Sequence, residues 1–134
     1  MSRHGNRERG RRFEMFALAQ MSKEFGVSFS AGPTLRRENI TIPFDGYAEK
    51  NGRIYVLEAK ANDRMEIIER TIGRMTLFAL RIPDEERARL TFILCVLTDS
   101  PVALLKSRIE TRNHELPYDL QVRVYNEMKV CCNR

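Results

Sequence analysis

Hydrophobic and polar positions along the chain follow a helical period in three stretches. Apolar residues recur at i, i+4 spacing over about residues 7–25, and Gly26 is a natural stop for this first helix. A second apolar stripe predicts a helix over about residues 63–81. A third helix is expected to begin with Ser100 as N-cap and Pro101 at the first helical position. Each of these amphipathic helices needs an apolar surface to pack against.

Four further stretches have the composition of strands. Residues 40–49 and 53–61 are separated by Asn51-Gly52, a strong hairpin signal because both residues accept positive φ in a type I′ turn. The continuous apolar run over residues 90–98 is typical of a buried central strand, and residues 119–126 alternate as a last strand. The order of elements predicts an α/β sandwich in which a mixed sheet is flanked by helices.

The length of 134 residues suits one compact domain with a single core. We divide the chain into a basic, flexible N-terminal arm of residues 1–12 and a single α/β domain of residues 13–134. No window approaches 18 consecutive apolar residues, so neither a membrane span nor a membrane partner is expected.

The three cysteines and the N-terminus point to a reducing compartment. Cys95 lies inside an apolar run and is expected in the core, whereas Cys131 and Cys132 have no partner at metal-ligand spacing. The N-terminus lacks the apolar segment of a signal peptide. We therefore expect an intracellular, cytoplasmic protein.

The net charge of +5 is unevenly distributed along the chain. Residues 1–12 hold five arginines and one acid, Glu8, and account for +4 of that total. A basic arm on a nearly neutral body suggests a polyanionic partner, although a solvated tail gives the same pattern. A predicted loop over residues 31–39 adds two arginines, which either contact phosphate or serve solubility. The candidate nucleic-acid contacts are Arg7, Arg9, Arg11, Arg12, Arg36 and Arg37.

The two-residue turn fixes the register of the hairpin. Directly opposed residues share a face of the sheet, with Cβ atoms about 4.5–5.5 Å apart. The predicted pairs are Lys50 with Arg53, Tyr47 with Val56, Asp45 with Glu58, and Pro43 with Lys60. Residues of the other parity, namely Ile42, Phe44, Leu57 and Ala59, are expected to point away into apolar packing.

This register brings two carboxylates face to face. Directly opposed Asp45 and Glu58 repel each other, and partial burial strengthens the repulsion unless a cation intervenes. Lys60 on the same face supplies one positive charge, whereas a divalent metal supplies two and can bind both acids. One or two carboxylates with room for water are typical of a Mg²⁺ site that also binds phosphate. Glu14, at the border of the buried stripe of the first helix, is a further candidate.

The pattern Pro43-Phe44-Asp45 … Glu58-Ala59-Lys60 resembles that of the PD-(D/E)XK nuclease superfamily, which has the restriction-endonuclease-like fold. The predicted elements match the αβββαβ core of that fold over about residues 7–98, with the last helix and strand as a C-terminal αβ extension. The sequence departs from some exonuclease branches of this superfamily, because the helix after the motif has no Gln-x-x-x-Tyr signature.

The resemblance implies hydrolysis of phosphodiester bonds with Mg²⁺ or Mn²⁺. In that case Asp45 and Glu58 would hold the metal with the backbone carbonyl of Ala59. Lys60 would orient or help to deprotonate the attacking water, and Glu14 would bind metal directly or through water. The chemistry would be charge neutralisation and water activation by a metal ion.

Three interpretations of function stay open at this point. The first is a metal-dependent endonuclease acting on DNA, with RNA not excluded, for which a homodimer would supply the two active sites that cutting both strands needs. The second is a catalytically inactive, nuclease-like module that binds nucleic acid or serves as a subunit of a larger DNA-processing assembly. The third is a domain in which Asp45, Glu58 and Lys60 are ordinary surface charges.

Overall fold

The structure is a computed structural model that describes residues 3–32, 34–37, 40–127 and 130, with side chains for residues 7–32, 41–127 and 130. The two C-terminal cysteines, Cys131 and Cys132, lie outside the described residues. The side chains of Arg36 and Arg37 also lie outside the described part of the structure, so their contacts with nucleic acid stay predictions.

The described residues form an alternation of helices and strands. The elements are α1 (Arg3–Phe25), β1 (Ser30–Ala31), β2 (Thr34–Arg37), β3 (Ile40–Pro43), β4 (Gly46–Lys50), β5 (Arg53–Lys60), α2 (Met65–Arg81), α3 (Asp84–Ala88), β6 (Leu90–Thr98), α4 (Val102–Arg112) and β7 (Asp119–Asn126).

The main sheet of the described residues is mixed and has the strand order β1-β4-β5-β6-β7. β5, β6 and β7 are parallel, whereas β1 and β4 are antiparallel to their neighbours. β2 and β3 form a separate antiparallel pair. Because β5 to β7 run in the same direction, their carboxyl ends meet at one edge of the sheet.

Helices cover both faces of this sheet, because successive residues of a strand point to opposite sides. β6 is buried along its whole length, as the predicted central strand requires. On one face α1 packs against β5 and β6 through a cluster that includes Phe13, Ala17, Met21, Leu57, Ile93 and Cys95. On the other face α2 and α4 pack through Ile68, Ile72, Met75, Leu105, Ile109, Val56, Phe92 and Leu94. The predicted α/β sandwich is confirmed.

The hairpin register is confirmed along β4 and β5. Asn51 and Gly52 adopt φ of 53° and 79°, the left-handed conformation that the turn requires. Lys50 pairs with Arg53, and the ladder continues to the pair of Gly46 with Leu57.

Beyond this ladder the prediction was wrong, because residues 40–49 form two strands instead of one. Pro43 pairs with Thr34 in the small sheet and does not lie opposite Lys60. Ile42 and Phe44 pack in the cluster of α2, on the opposite face from Leu57. The reason is a bend at Asp45. The ring of the neighbouring Phe44 turns toward Phe78 on α2 and Phe92 on β6, with distances of 5.8 Å and 5.6 Å between ring centroids.

Two further segments differ from the sequence prediction. The predicted loop over residues 31–39 contains β2, which pairs with β3. Residues 3–12 belong to α1, although residues 1–12 were predicted as a flexible arm. Within this stretch, Arg9 binds Glu127 and the carbonyl oxygen of Ala61. Within the described residues, none of the helices combines the length and apolar character that a membrane span requires.

Candidate active site

The bend at the end of the hairpin places Asp45 beside Glu58. The backbone N–H of Asp45 donates to the carbonyl of Leu57 over 3.0 Å, and its Oδ2 accepts a hydrogen bond of 2.8 Å from the N–H of Ala59. These two bonds place Asp45 opposite Leu57 and Ala59, on either side of Glu58 in the sequence. Glu58 is only 3% exposed, whereas Asp45 is half-buried. The structure therefore brings together the two acids that the turn register predicted.

Two cationic side chains approach the same oxygen of Glu58. Nζ of Lys60 lies 3.5 Å and Nη2 of Arg74 lies 3.4 Å from Oε2. Since Oδ2 of Asp45 is bound by the backbone, each carboxyl group has one oxygen held by the protein. The second oxygens, Oδ1 of Asp45 and Oε1 of Glu58, remain for a shared proton or a cation.

The charged form of Glu58 is disfavoured in this environment. The pKa of Glu58 is raised from 4.5 to about 7. The main cause is burial, and the second is the neighbouring charge of Asp45. Lys60 and Arg74 act in the opposite direction but offset only part of the effect. The nearby positive charges therefore compensate the pair of acids only in part.

Glu14 reaches the same region from α1. Its pKa is raised, first by burial and then by the charge of Asp45, while Arg11 and Lys60 lower it. One turn further along α1, Leu18 packs over the hairpin so closely that a Cβ on Gly46 would lie 2.6 Å from its Cδ2. This close approach of helix and hairpin brings Glu14 near the acid pair.

The donor set fits a hard divalent cation through two carboxyl groups. Among the described residues, no group of three or more His, Cys, Asp or Glu side chains is arranged to hold a metal, so Glu14 does not complete a triad with Asp45 and Glu58. A Mg²⁺ ion commonly uses one or two carboxylates and fills its other positions with water and phosphate oxygens. Direct ligation by Glu14, Ala59 as a carbonyl ligand and the role of Lys60 stay predictions.

The arginines of α1 separate into two groups around the helix. Arg7 and Arg11 are exposed on the flank that carries Glu14 and Leu18. Arg9 is on the opposite flank, where its Nη2 lies 2.7 Å from Oε2 of Glu127. Arg12 lines a groove on this second flank together with Phe16, Lys23 and Val130. The arginines predicted as one basic arm therefore face different parts of the surface.

Sequence reasoning missed Arg74 as a member of the site. From the sequence alone, an arginine of α2 is most simply a surface charge, and some of them are expected to pair with Glu66 and Glu69. Arg64 does bind Glu66, but Arg74 reaches across to Glu58 and to the carbonyl of Pro43. The available signal was its helical position, because Arg74 lies three and four residues from the buried Thr71 and Phe78 and so borders the buried face.

Comparison with protein-family models and with curated protein sequences finds no match for the chain. Among solved structures, it is similar to a crystal structure of an XisH family protein from Nostoc punctiforme, with a TM-score of 0.59 and 10% sequence identity over 89% of this chain and 94% of that chain. It is also similar, with a TM-score of 0.48 and 12% identity, to a protein of unknown function, over 86% of this chain and 57% of that chain.

The likeness to the XisH family protein concerns the fold, since the identity is 10%. The chain has a restriction-endonuclease-like α/β fold, as the sequence predicted. At the end of its hairpin this domain carries a pair of acids and a lysine.

Proposed function

We propose that the protein is a metal-dependent nuclease that hydrolyses phosphodiester bonds of DNA, with RNA as a second possible substrate. The observation that carries this proposal is the buried Glu58 beside Asp45, which is hydrogen-bonded to Leu57 and Ala59 on either side of it, with Lys60 at 3.5 Å. A surface ladder, the third interpretation, does not account for a glutamate that is 3% exposed. The nuclease-like fold supports the same class of activity.

In this proposal Asp45 and Glu58 hold Mg²⁺ or Mn²⁺, with the carbonyl of Ala59 as a further ligand. When bound, the ion polarises the phosphate and lowers the pKa of a water molecule. The side chain of Lys60 is 28% exposed, so its ammonium group can reach a water or a phosphate oxygen while it stays beside Glu58. Glu14 orients a water in the second layer of the site.

The exposed arginines near the acids hold the nucleic acid. Arg7 and Arg11 lie on the flank of α1 that faces the site, and they offer forked contacts to phosphate oxygens. Arg9 has a different role, because its guanidinium group is bound to Glu127 and Ala61. Contacts to phosphates give affinity without base specificity, and the affinity falls as salt rises.

The test is cleavage by the purified chain. Plasmid, branched and single-stranded DNA and RNA are incubated with Mg²⁺ or Mn²⁺ and then with EDTA. We expect metal-dependent cutting that Glu58→Gln and Lys60→Ala reduce at least about a hundredfold while binding persists. Glu49→Gln is the matched control, since Glu49 is an exposed acid on the same hairpin. Cutting that survives both Glu58→Gln and Lys60→Ala would contradict the proposal.

The second candidate function is a binding module without hydrolysis. It is favoured by the contacts of Lys60 and Arg74 with Glu58, because these two cations already offset part of the negative charge that a metal would neutralise. Binding of nucleic acid with no cutting in either metal would support this candidate over the nuclease.

We also propose that the nuclease acts on duplex DNA as a homodimer. Each chain carries one acid pair, and cutting both strands needs two. Sedimentation at equilibrium measures the oligomeric state, and a plasmid assay separates nicked from linear product. A monomer that only nicks plasmid would contradict the dimer and leave the nuclease proposal intact.

A further inference from the structure

Arg74 connects three elements at the acid pair. It lies on α2, and its Nη2 is 3.1 Å from the carbonyl oxygen of Pro43 at the end of β3 and 3.4 Å from Oε2 of Glu58 on β5. The side chain is 38% exposed, so the guanidinium group spans the border between the core and the surface. One side chain thus contacts the segment before Asp45 and the strand that carries Glu58.

The contact with Pro43 matters because the chain bends there. The ladder between β4 and β5 extends from Lys50–Arg53 to Gly46–Leu57, and Pro43 pairs with β2 instead. Asp45 therefore lies where the chain leaves the sheet, still bonded to β5 through its N–H and its Oδ2. Arg74 ties this segment to β5 at the position of Glu58.

The contact with Glu58 selects one of its two oxygens. Arg74 and Lys60 both approach Oε2, and a carboxylate bound at one oxygen directs the other elsewhere. Oδ2 of Asp45 accepts from the N–H of Ala59, the residue after Glu58, so Asp45 lies beside this carboxyl group. The two cations hold Glu58 through Oε2, and Oε1 is the oxygen that a metal would use.

We propose that Arg74 is a positioning residue, which clamps the segment of Asp45 to Glu58 and turns Oε1 of Glu58 toward the metal position. This inference rests on the proposed metal site. Both contacts come from Nη2, whose two N–H groups the planar guanidinium group holds in fixed, divergent directions; this rigid fork suits two acceptors on different strands, whereas a lysine ammonium group rotates freely.

A simple counter-charge would behave in the opposite way. A positive group near a metal site repels a divalent cation, so its removal would tighten metal binding. A clamp orders the ligands in advance, so its removal would weaken metal binding. The sign of the change in metal affinity therefore separates the two roles. Removal of a purely structural arginine would leave the metal affinity of the folded protein unchanged.

The experiment measures Mn²⁺ binding to the full chain at pH 8.5 without nucleic acid, by calorimetry and by the rise in Tm. We expect Arg74→Ala to bind Mn²⁺ about tenfold more weakly than the wild type. Arg74→Lys keeps the charge but lacks the fork, and it is expected to recover only part of the loss. Arg70→Ala, an exposed arginine one turn earlier on α2, should bind as the wild type does.

The outcomes distinguish this inference from the proposed function. If the wild type does not bind Mn²⁺ saturably, or if Glu58→Gln binds it equally well, the metal site and the clamp are both overturned. If the wild type binds Mn²⁺ and folded Arg74→Ala binds equally or more tightly, only the clamp is overturned. Should Arg74→Ala not fold, Arg74→Lys decides, because wild-type affinity in that variant would contradict the need for the fork.

Discussion

Glu58 is buried at a place where its charge is poorly solvated. Burial of a carboxylate is unfavourable unless it is paired and hydrogen-bonded, and here the second acid, Asp45, adds repulsion. Lys60 and Arg74 supply charge at one oxygen, so the group is partly compensated. At the scale of single residues, this incomplete compensation is the physical property from which binding of a cation would follow.

The first prediction concerns the pH dependence of stability without metal. The pKa of Glu58 in the folded protein, about 7, lies above its ordinary value of 4.5, so folding favours the protonated form. This contribution to stability is present below about pH 4.5 and is lost as the pH rises through 7. Between pH 4.5 and 8, we expect the free energy of unfolding of the wild type to fall by up to about 3 kcal/mol more than that of Glu58→Gln. Urea unfolding in EDTA measures both, and parallel pH profiles would contradict the buried acid pair.

The second prediction concerns Asp45. Asp45→Asn removes the repulsion and retains an oxygen that can accept from the N–H of Ala59, so it should raise the Tm of the metal-free protein at pH 8. Asp45→Ala also removes the repulsion but leaves that N–H without its acceptor, and the net change should be less favourable than that of Asp45→Asn by about 1 kcal/mol. A lower Tm for Asp45→Asn than for Asp45→Ala would be inconsistent with this geometry.

At the scale of elements, the sequence was informative where a local rule decides the conformation. Asn51-Gly52 determines the turn and therefore the register up to Gly46. The bend at Asp45 could not be predicted in this way, because Phe44 turns toward α2 and β6, two elements that lie far away in the sequence. Arg74 was missed for the same reason, since helical periodicity shows that a residue borders the core but not which strand it contacts.

The third prediction tests how closely α1 approaches the hairpin. A Cβ on Gly46 would lie 2.6 Å from Leu18, 3.3 Å from Phe29 and 3.4 Å from Leu57. Gly46→Ala should therefore lower the free energy of unfolding by about 1–3 kcal/mol and move α1 away from the acid pair. Gly73→Ala is the control, because nothing lies within 4 Å of its Cβ position and alanine favours a helix by about 0.5–1 kcal/mol. Chemical denaturation of both variants measures the difference, and equal stabilities would argue against a tight contact.

For the whole molecule, the sandwich could be predicted because the long helices have a helical period and the main strands have the composition of strands, whereas β2 and α3 were not predicted. The role of the N-terminal arginines could not, since net charge does not show which face of a helix each one takes. The structure separates Arg11, next to Glu14, from Arg12, which lines the groove on the other flank of α1. This separation makes the two neighbouring arginines a matched pair for nucleic-acid binding.

The fourth prediction uses that pair. If the nucleic acid crosses the acid pair, Arg11→Ala should weaken DNA binding and reduce the slope of log affinity against log salt by about 1, as expected for one lost phosphate contact. Arg12→Ala should leave the slope unchanged. Fluorescence anisotropy at several salt concentrations measures both variants. Equal slopes for Arg11→Ala and the wild type would place the nucleic acid elsewhere.

The ion pair between Arg9 and Glu127 joins residues 118 positions apart, and the rings of Phe13 and Phe16 pack against Tyr125 on β7. During synthesis on the ribosome, the first helix therefore completes its contacts only when β7, the last of the described strands, has emerged. Contacts of such long sequence separation form slowly. Until then the nascent chain can seat α1 on β5 and β6 but lacks the ion pair and the ring contacts at the N-terminal half of the helix. A chain released before β7 would hold this half of α1 less firmly.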